Sequence, residues 1–149
     1  MTDPRSPVLI VEDSPEDYEI ISTCLQEAGV RNELVHLSDG PELLSFLDKC
    51  REKRGRQPAV VLLDLRLPGM SGHKVLAHLR KDDTYGLVPV VVLSTSRAKS
   101  DVNLAYENGA NSYLQKPLSL EGFEKLMASF SAYWLETVVP PDPNSRAEF

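Results

Sequence analysis

Short apolar runs alternate with amphipathic helical patterns five times along the chain. The predicted strands are Val8–Val11, Leu34–Leu37, Ala59–Leu63, Val88–Leu93 and Ser112–Leu114. This alternation is typical of βαβ units around a buried parallel sheet, and right-handed crossovers place the helices on both of its faces. The pattern therefore predicts an α/β fold with a five-stranded, doubly wound parallel sheet in a three-layer α/β/α sandwich.

The length and charge of the chain argue against several classes of protein. Its 149 residues fit one domain, and a net charge of −6 argues against nucleic acid as a partner. The longest apolar runs have the length of one strand, so no membrane span or membrane partner is expected. The start of the chain, MTDPRSP, lacks the apolar core of a signal peptide, and we expect a cytoplasmic protein.

The sequence predicts one domain with a short tail at each end. We expect an N-terminal tail over residues 1–7, a domain over residues 8–139 that ends in an extended helix, and a flexible tail over residues 140–149. The prolines at the start of this last segment end the helix, because proline lacks the N–H group that a helix needs.

Polar residues directly follow the predicted strands. Glu12 and Asp13 follow the first strand, Asp64 follows the third and Ser94 follows the fourth. Lys116 comes shortly after the fifth strand. In an open parallel sheet these points share the carboxyl edge, where ligands bind at the switch in strand order. If the first strand is central, all five side chains converge on one cleft.

Three carboxylates in one cleft repel one another unless a cation lies between them. A hard dication such as Mg²⁺ prefers oxygen ligands and also binds phosphate oxygens, whereas no Cys/His cluster indicates zinc. A carboxylate beside such a cation, with a lysine and a hydroxyl nearby, can attack a phosphoryl group. We therefore interpret Asp64 as the reacting group, which explains a carboxylate at the end of a buried strand.

These residues resemble the receiver domains of two-component response regulators over about residues 7 to 130. The family pattern D-x-x-[ML]-P-x-[ML]-x-G is matched by Asp64, Leu67, Pro68, Met70 and Gly72. The acidic pair after the first strand, the hydroxyl thirty positions after the aspartate and the Lys-Pro pair complete the match. The resemblance implies the flavodoxin-like strand order 2-1-3-4-5.

The resemblance also implies a role for each residue of the cleft. Asp64 corresponds to the phosphoacceptor. Glu12, Asp13, Asp64 and the backbone carbonyl of Arg66 correspond to the ligands of Mg²⁺, for which Mn²⁺ or Ca²⁺ could substitute. Arg66 itself departs from the common pattern and could alter the access of hydrolytic water.

Two further positions correspond to the family's conformational switch. Ser94 corresponds to the hydroxyl that moves to bond the phosphoryl group, and Tyr113 to the aromatic switch residue. Tyr113 is also well suited to simple packing on its strand, so both interpretations stay open. Lys116 would pair with the phosphoryl group, and the resemblance implies a cis Lys116–Pro117 bond.

The function that the resemblance implies is that of a stand-alone response regulator. It would accept a phosphoryl group from a histidine kinase or a phosphotransfer protein and signal through its fourth helix, fifth strand and fifth helix. It would not be an enzyme beyond its own phosphoryl transfer and slow autodephosphorylation. The extended C-terminus and the PVVVLSTS segment further resemble small single-domain regulators that partner phytochrome-type histidine kinases.

The extended last helix carries more aromatic bulk than one small domain readily covers. Phe130, Tyr133 and Trp134 therefore predict an exposed apolar patch and a symmetric homodimer through this face.

Two other classes of protein remain as alternatives. A pseudo-receiver keeps the fold as a binding module without phosphoryl chemistry, although none of the expected polar residues is missing here. A Mg²⁺-dependent phosphohydrolase that resembles the haloacid dehalogenase group carries its D-x-D motif after the first strand. In this chain Asp64 follows the third strand, and Arg66 occupies the second acidic position.

Overall fold

A five-stranded parallel sheet forms the centre of the molecule. The computed structural model describes residues 2–52 and 57–142. The strands are β1 (Val8–Val11), β2 (Leu34–Leu37), β3 (Val60–Leu63), β4 (Val90–Ser94) and β5 (Ser112–Gln115). Their order is β2-β1-β3-β4-β5, and every neighbouring pair is parallel. The expected strand order is therefore confirmed, with β1 between β2 and β3.

Helices cover both faces of this sheet. They are α1 (Pro15–Glu27), α2 (Gly40–Glu52), α3 (Gly72–Arg80), α4 (Lys99–Glu107) and α5 (Leu120–Ser131), followed by a π-helical segment (Ala132–Thr137). Because side chains alternate along a strand, each strand feeds two separate cores. One core joins the sheet to α2, α3 and α4, and the other joins it to α1, α5 and the π-helical segment. The expected three-layer sandwich is confirmed.

Local sequence signals fix where the helices begin and end. Ser14, Ser71 and Ser119 cap α1, α3 and α5, since each hydroxyl accepts a hydrogen bond from a backbone N–H group of the first turn. Gly29 and Gly109 follow α1 and α4 with φ angles of 89° and 101°, a conformation that glycine adopts without a steric penalty.

Two element boundaries differ from the sequence-based expectation. The strand β4 begins at Val90 rather than Val88, because Pro89 has no N–H group to donate to the ladder. The regular helix α5 ends at Ser131, and the chain continues in wider π-helical turns to Thr137. The Thr137 hydroxyl donates to the carbonyl of Ala132, which closes one of these turns.

The segment before β1 contacts the C-terminal extension. Both the N–H group and the hydroxyl of Thr2 donate to the carbonyl of Leu135, at 2.8 and 3.2 Å. Part of the predicted C-terminal tail, residues 143–149, lies outside the described residues. Among those that are described, no helix combines the length and the apolar character needed to cross a bilayer.

Candidate functional site

Three carboxylates meet at the carboxyl edge of the sheet. Val11 and Leu63 are register partners on β1 and β3, so the residues that follow them lie side by side. Oxygens of Glu12, Asp13 and Asp64 all lie within 4.8 Å of one another. Glu12 and Asp64 are buried, whereas Asp13 is exposed, so the cluster opens to solvent on one side. The convergence that strand order predicts for these three residues is therefore present.

The ammonium group of Lys116 lies in the middle of this acidic cluster. Its Nζ atom donates to Oε2 of Glu12 at 2.6 Å, to Oδ2 of Asp64 at 3.0 Å and to Oδ2 of Asp17 at 3.0 Å. An ammonium group has three donors, so each of them has a carboxylate partner. Lys116 thus joins α1, β1 and β3 from the end of β5.

Sequence reasoning missed Asp17. A signal was present, because Asp17 lies in the first turn of α1, shortly after the acidic pair that follows β1. Acidic residues are common in the first turn of a helix, and only the position of Lys116 shows that Asp17 belongs to the cluster.

The crowding of charge changes how Glu12 and Lys116 bind protons. Burial raises the pKa of Glu12 to about 7, and the charge of Asp64 adds to this effect, although Lys116 opposes it. Burial alone would lower the pKa of Lys116. Its hydrogen bonds to Glu12 and Asp17, together with the charge of Asp64, outweigh burial and raise it, so the lysine stays protonated at neutral pH.

We expect the pKa of Glu12 to appear in the pH dependence of stability. In the unfolded chain Glu12 loses its proton near pH 4.5, whereas in the folded chain it keeps the proton up to about pH 7. Between these values the folded state binds more protons, so without divalent cations this residue lowers the free energy of unfolding as the pH rises. Urea unfolding at several pH values in this range, in a chelating buffer, measures how the free energy of unfolding changes with pH.

The matched variants for this prediction are Glu12→Gln and Glu19→Gln. Glu12→Gln removes the titrating group and should flatten the slope between pH 4.5 and about 7. Glu19 is exposed on α1, so Glu19→Gln should leave the slope unchanged. An identical slope in the wild-type chain and in Glu12→Gln would contradict the assignment.

The donor set fits a hard divalent cation. It consists of carboxylate oxygens, and within the described part of the chain no histidine or cysteine belongs to the group. One oxygen of Asp64, Oδ1, accepts a hydrogen bond from the backbone N–H of Arg66 at 2.9 Å, which orients the carboxylate. The role of the Arg66 carbonyl as a further ligand stays a prediction.

Ser94 ends β4 at the same edge and is completely buried. Its hydroxyl oxygen accepts a hydrogen bond from the N–H of Ser96 at 3.2 Å. The hydroxyl of Tyr113, which is half-buried on β5, donates to the carbonyl of Ser96 at 2.9 Å. The two predicted switch residues therefore bind the same residue of the β4–α4 loop.

The peptide bond between Lys116 and Pro117 corrects one expectation. The resemblance implied a cis bond, but the described residues contain no cis peptide, so this bond is trans. The trans form is the more stable isomer for most X-Pro bonds.

The aromatic residues near the C-terminus differ in exposure. Tyr133 is 54% exposed and makes an edge-on contact with the part-buried ring of Trp134, with the ring centroids 5.0 Å apart. Phe130 was expected in the same exposed patch, but it is 3% exposed and packs in the core beneath α5. Phe130 lies on the inward face of α5, which explains why it is buried rather than exposed. All three line a groove of about 330 Å³ between β5 and α5.

The fold and the acidic edge of the sheet together define a class of signalling protein. The family model for the response regulator receiver domain matches residues 8–128, and the chain belongs to this family. The chain is 38% identical to the probable methanogenesis regulatory protein FilR2 of Methanothrix harundinacea, covering 91% of this chain and 88% of FilR2. It is 36% identical to response regulator Rcp1 of Synechocystis, covering 94% of this chain and 96% of Rcp1.

Solved structures agree with this assignment. The Mn²⁺-bound form of Rcp1 matches with a TM-score of 0.82 and 35% identity, covering 92% of this chain and 99% of that one. The phosphorylated cyanobacterial phytochrome response regulator RcpA matches with a TM-score of 0.85 and 32% identity, covering 93% and 99%. Receiver domains bind divalent metal ions, and the acidic cluster of this chain is consistent with such a site.

Proposed function

We propose that this chain accepts a phosphoryl group on Asp64 and passes the signal on through a change in its β4–α4 loop. The observation that carries the proposal is the position of the Asp64 carboxylate. It is buried, bonded to Lys116 and within 4.8 Å of two further carboxylates that suit a divalent cation. Burying a charged carboxylate in this setting lowers the stability of the fold, and a role as the nucleophile explains why the chain keeps it there.

The chemistry assigned to Asp64 is an in-line displacement at phosphorus. A carboxylate oxygen of Asp64 forms the new P–O bond, while the bond from phosphorus to the donor breaks and its electron pair leaves with the donor group. With a histidine kinase or a phosphotransfer protein as donor, the leaving group is an imidazole nitrogen. Lys116 neutralises charge on the phosphoryl oxygens, and a bound Mg²⁺ would supply further neutralisation.

The proposed change in the β4–α4 loop depends on the hydrogen bonds of Ser94. A phosphoryl group on Asp64 offers acceptor oxygens to the Ser94 hydroxyl, and a move of that hydroxyl toward them breaks its bond with the N–H of Ser96. Because the carbonyl of Ser96 accepts the Tyr113 hydroxyl, the aromatic ring is coupled to the same loop. Phosphorylation would then change the conformation of the face formed by α4, β5 and α5, where a partner can detect it.

The partner assigned to the site is a histidine kinase or a phosphotransfer protein. Two exposed leucines support docking of a protein, because Leu118 is fully exposed and Leu120 is 59% exposed, both just after Lys116. A phytochrome-type kinase is the specific partner that we propose, since RcpA is described as a phytochrome response regulator. The cytoplasmic location and slow autodephosphorylation expected from the sequence stay predictions.

The direct test is incubation with acetyl phosphate and Mg²⁺, followed by mass spectrometry of the intact chain. We expect a mass gain of one phosphoryl group that requires the divalent cation and disappears with excess chelator. No gain under conditions that label a control receiver domain would favour a pseudo-receiver that binds partners without phosphoryl chemistry.

We further propose that a second copy of this chain covers the groove between β5 and α5. The exposed Tyr133 and the part-buried Trp134 form its aromatic rim, while Phe130 contributes to its floor. The Tyr133→Asp variant should weaken the dimer by about tenfold or more, because it places a charge in an apolar contact. Sedimentation at micromolar concentration measures this, with and without acetyl phosphate.

The control for the dimer is Leu87→Ser, which alters a residue that is 63% exposed in the loop between α3 and β4. This change should leave the association constant as it is in the wild-type chain. A wild-type chain that sediments as a monomer in both conditions would overturn the proposed dimer.

A further inference from the structure

The contact between Lys116 and Asp17 has no part in the function proposed so far. Two of the three carboxylates that hold the ammonium, Glu12 and Asp64, are also candidate ligands of the divalent cation. Asp17 is different, because it lies outside the group of carboxylates that can share one cation and comes from the helix α1. Its side chain is 35% exposed, so its charge costs less to keep than that of its buried neighbours.

Hydrogen bonds fix the position of Asp17 relative to the acidic cluster. The N–H of Asp17 donates to the Ser14 hydroxyl at 3.2 Å, and the N–H of Ser14 donates to Oε1 of Glu12 at 3.1 Å. Lys116 bridges the other oxygen of Glu12 to Asp17. These contacts form a closed ring of four residues, which holds the backbone of Asp17 next to the cluster and its carboxylate against Lys116.

A second contact holds the same turn of α1 against the sheet. Tyr18, the residue after Asp17, stacks on His36 of β2 with 4.0 Å between ring centroids and 5° between ring planes. The Nε2 atom of His36 lies 2.7 Å from the carbonyl oxygen of Glu12, at hydrogen-bond distance. The first turn of α1 is therefore anchored independently of Lys116, and it presents Asp17 as a fixed partner.

The charges of the site indicate what Asp17 does for Lys116. An ammonium group bonded to Glu12 and Asp64 repels an incoming dication and competes with it for the same oxygens. Asp17 offers the ammonium a carboxylate that the cation does not require. When a cation takes oxygens of Glu12 and Asp64, Lys116 keeps a charged partner and has donors free for a phosphoryl group.

We propose that Asp17 is a positioning residue of the phosphoacceptor site, which draws Lys116 toward α1 and so leaves Glu12 and Asp64 available to the divalent cation. The inference rests on the proposed function only in taking these two carboxylates as cation ligands. Asp17 acts through Lys116 and touches neither the cation nor the phosphoryl group.

Calorimetric titration with Mg²⁺ alone tests the proposal without any phosphoryl donor. The Asp17→Asn variant should bind Mg²⁺ about tenfold more weakly than the wild-type chain, the scale of losing a hydrogen bond to a charged group. Glu19→Gln is the matched control, because it removes one negative charge from the exposed side of the same helix. It should change the affinity less than about twofold, a range that long-range screened charge allows.

A double-mutant cycle with Lys116→Met shows whether Asp17 acts through the lysine. In the Lys116→Met background, Asp17→Asn should change Mg²⁺ affinity no more than Glu19→Gln does. The ammonium resonance of Lys116 in ¹⁵N NMR gives an independent readout, and it should shift in Asp17→Asn but not in Glu19→Gln. Circular dichroism should show the same fold in every variant.

Two outcomes would overturn the inference. One is an equal Mg²⁺ affinity in Asp17→Asn and Glu19→Gln. The other is a full tenfold loss on Asp17→Asn in the Lys116→Met background, which would mean that Asp17 acts on the cation directly. Neither outcome bears on phosphoryl acceptance, since a chain that binds Mg²⁺ as proposed can still fail to gain mass from acetyl phosphate.

Discussion

Replacing Asp64 by asparagine should abolish the gain of a phosphoryl group from acetyl phosphate. The amide is nearly the same size as the carboxylate and fits the same buried position, but it lacks the nucleophilic oxygen that forms the new bond to phosphorus. Lys116 keeps Glu12 and Asp17 as partners, so the fold should survive the change. Mass spectrometry of the intact chain measures the result.

The matched control for Asp64→Asn is Asp48→Asn, the same chemical change at an exposed position on α2. This control should gain the phosphoryl group as the wild-type chain does. A phosphoryl group that still appears on Asp64→Asn would place the acceptor elsewhere and end the assignment of Asp64. Loss of labelling in both variants would point instead to general damage by the substitution.

Replacing Gly72 by alanine should cause a large loss of stability. A Cβ atom at this position would lie 2.4 Å from the carbonyl oxygen of Asp64 and 2.6 Å from Cα of Leu65. Both are backbone atoms, so no flexible side chain can move aside. The N–H of Gly72 also donates to the carbonyl of Leu65 at 2.9 Å, which holds the start of α3 against this loop.

We expect Gly72→Ala to lower the free energy of unfolding by about 3 kcal/mol, the upper part of the usual range for overpacking. Because relief of the clash displaces the backbone of Asp64, phosphorylation by acetyl phosphate should slow as well. Urea unfolding and the initial rate of mass gain measure the two effects.

The control for this prediction is Gly69→Ala in the same loop. Gly69 has a φ of 79°, and a Cβ atom added there would meet no other atom within 4 Å. Its replacement therefore costs backbone strain without a clash, about 1 kcal/mol. Equal free energies of unfolding for the two variants would show that the close approach at Gly72 does not govern stability.

Much of the fold could be predicted from the sequence because its local signals agree with one another. Apolar runs predicted the strands β1 and β2 to the residue, and serine caps and glycines marked the ends of helices. The boundary of β4 was misplaced by two residues, because hydropathy does not register that Pro89 lacks a donor.

The candidate site was predicted in part for the same reason. Side chains that directly follow parallel strands share one edge of the sheet, so the positions of Glu12, Asp13 and Asp64 in the sequence were enough to bring them together. The exposed face was predicted less well. Phe130 lies on the inward face of α5 and packs in the core, whereas Tyr133 lies in the π-helical segment and is exposed. The sequence pattern does not show that the helix widens between these two residues.

The sequence by itself determined the order of elements, the acidic edge and the presence of a lysine near it, because these depend on local patterns and on the rules of parallel sheets. The tertiary structure decided which carboxylates hold the ammonium, and it alone raised the pKa of Glu12 to about 7. Those properties depend on distances between elements about a hundred residues apart in the chain and on the removal of water around them. Such quantities do not exist until the chain has folded.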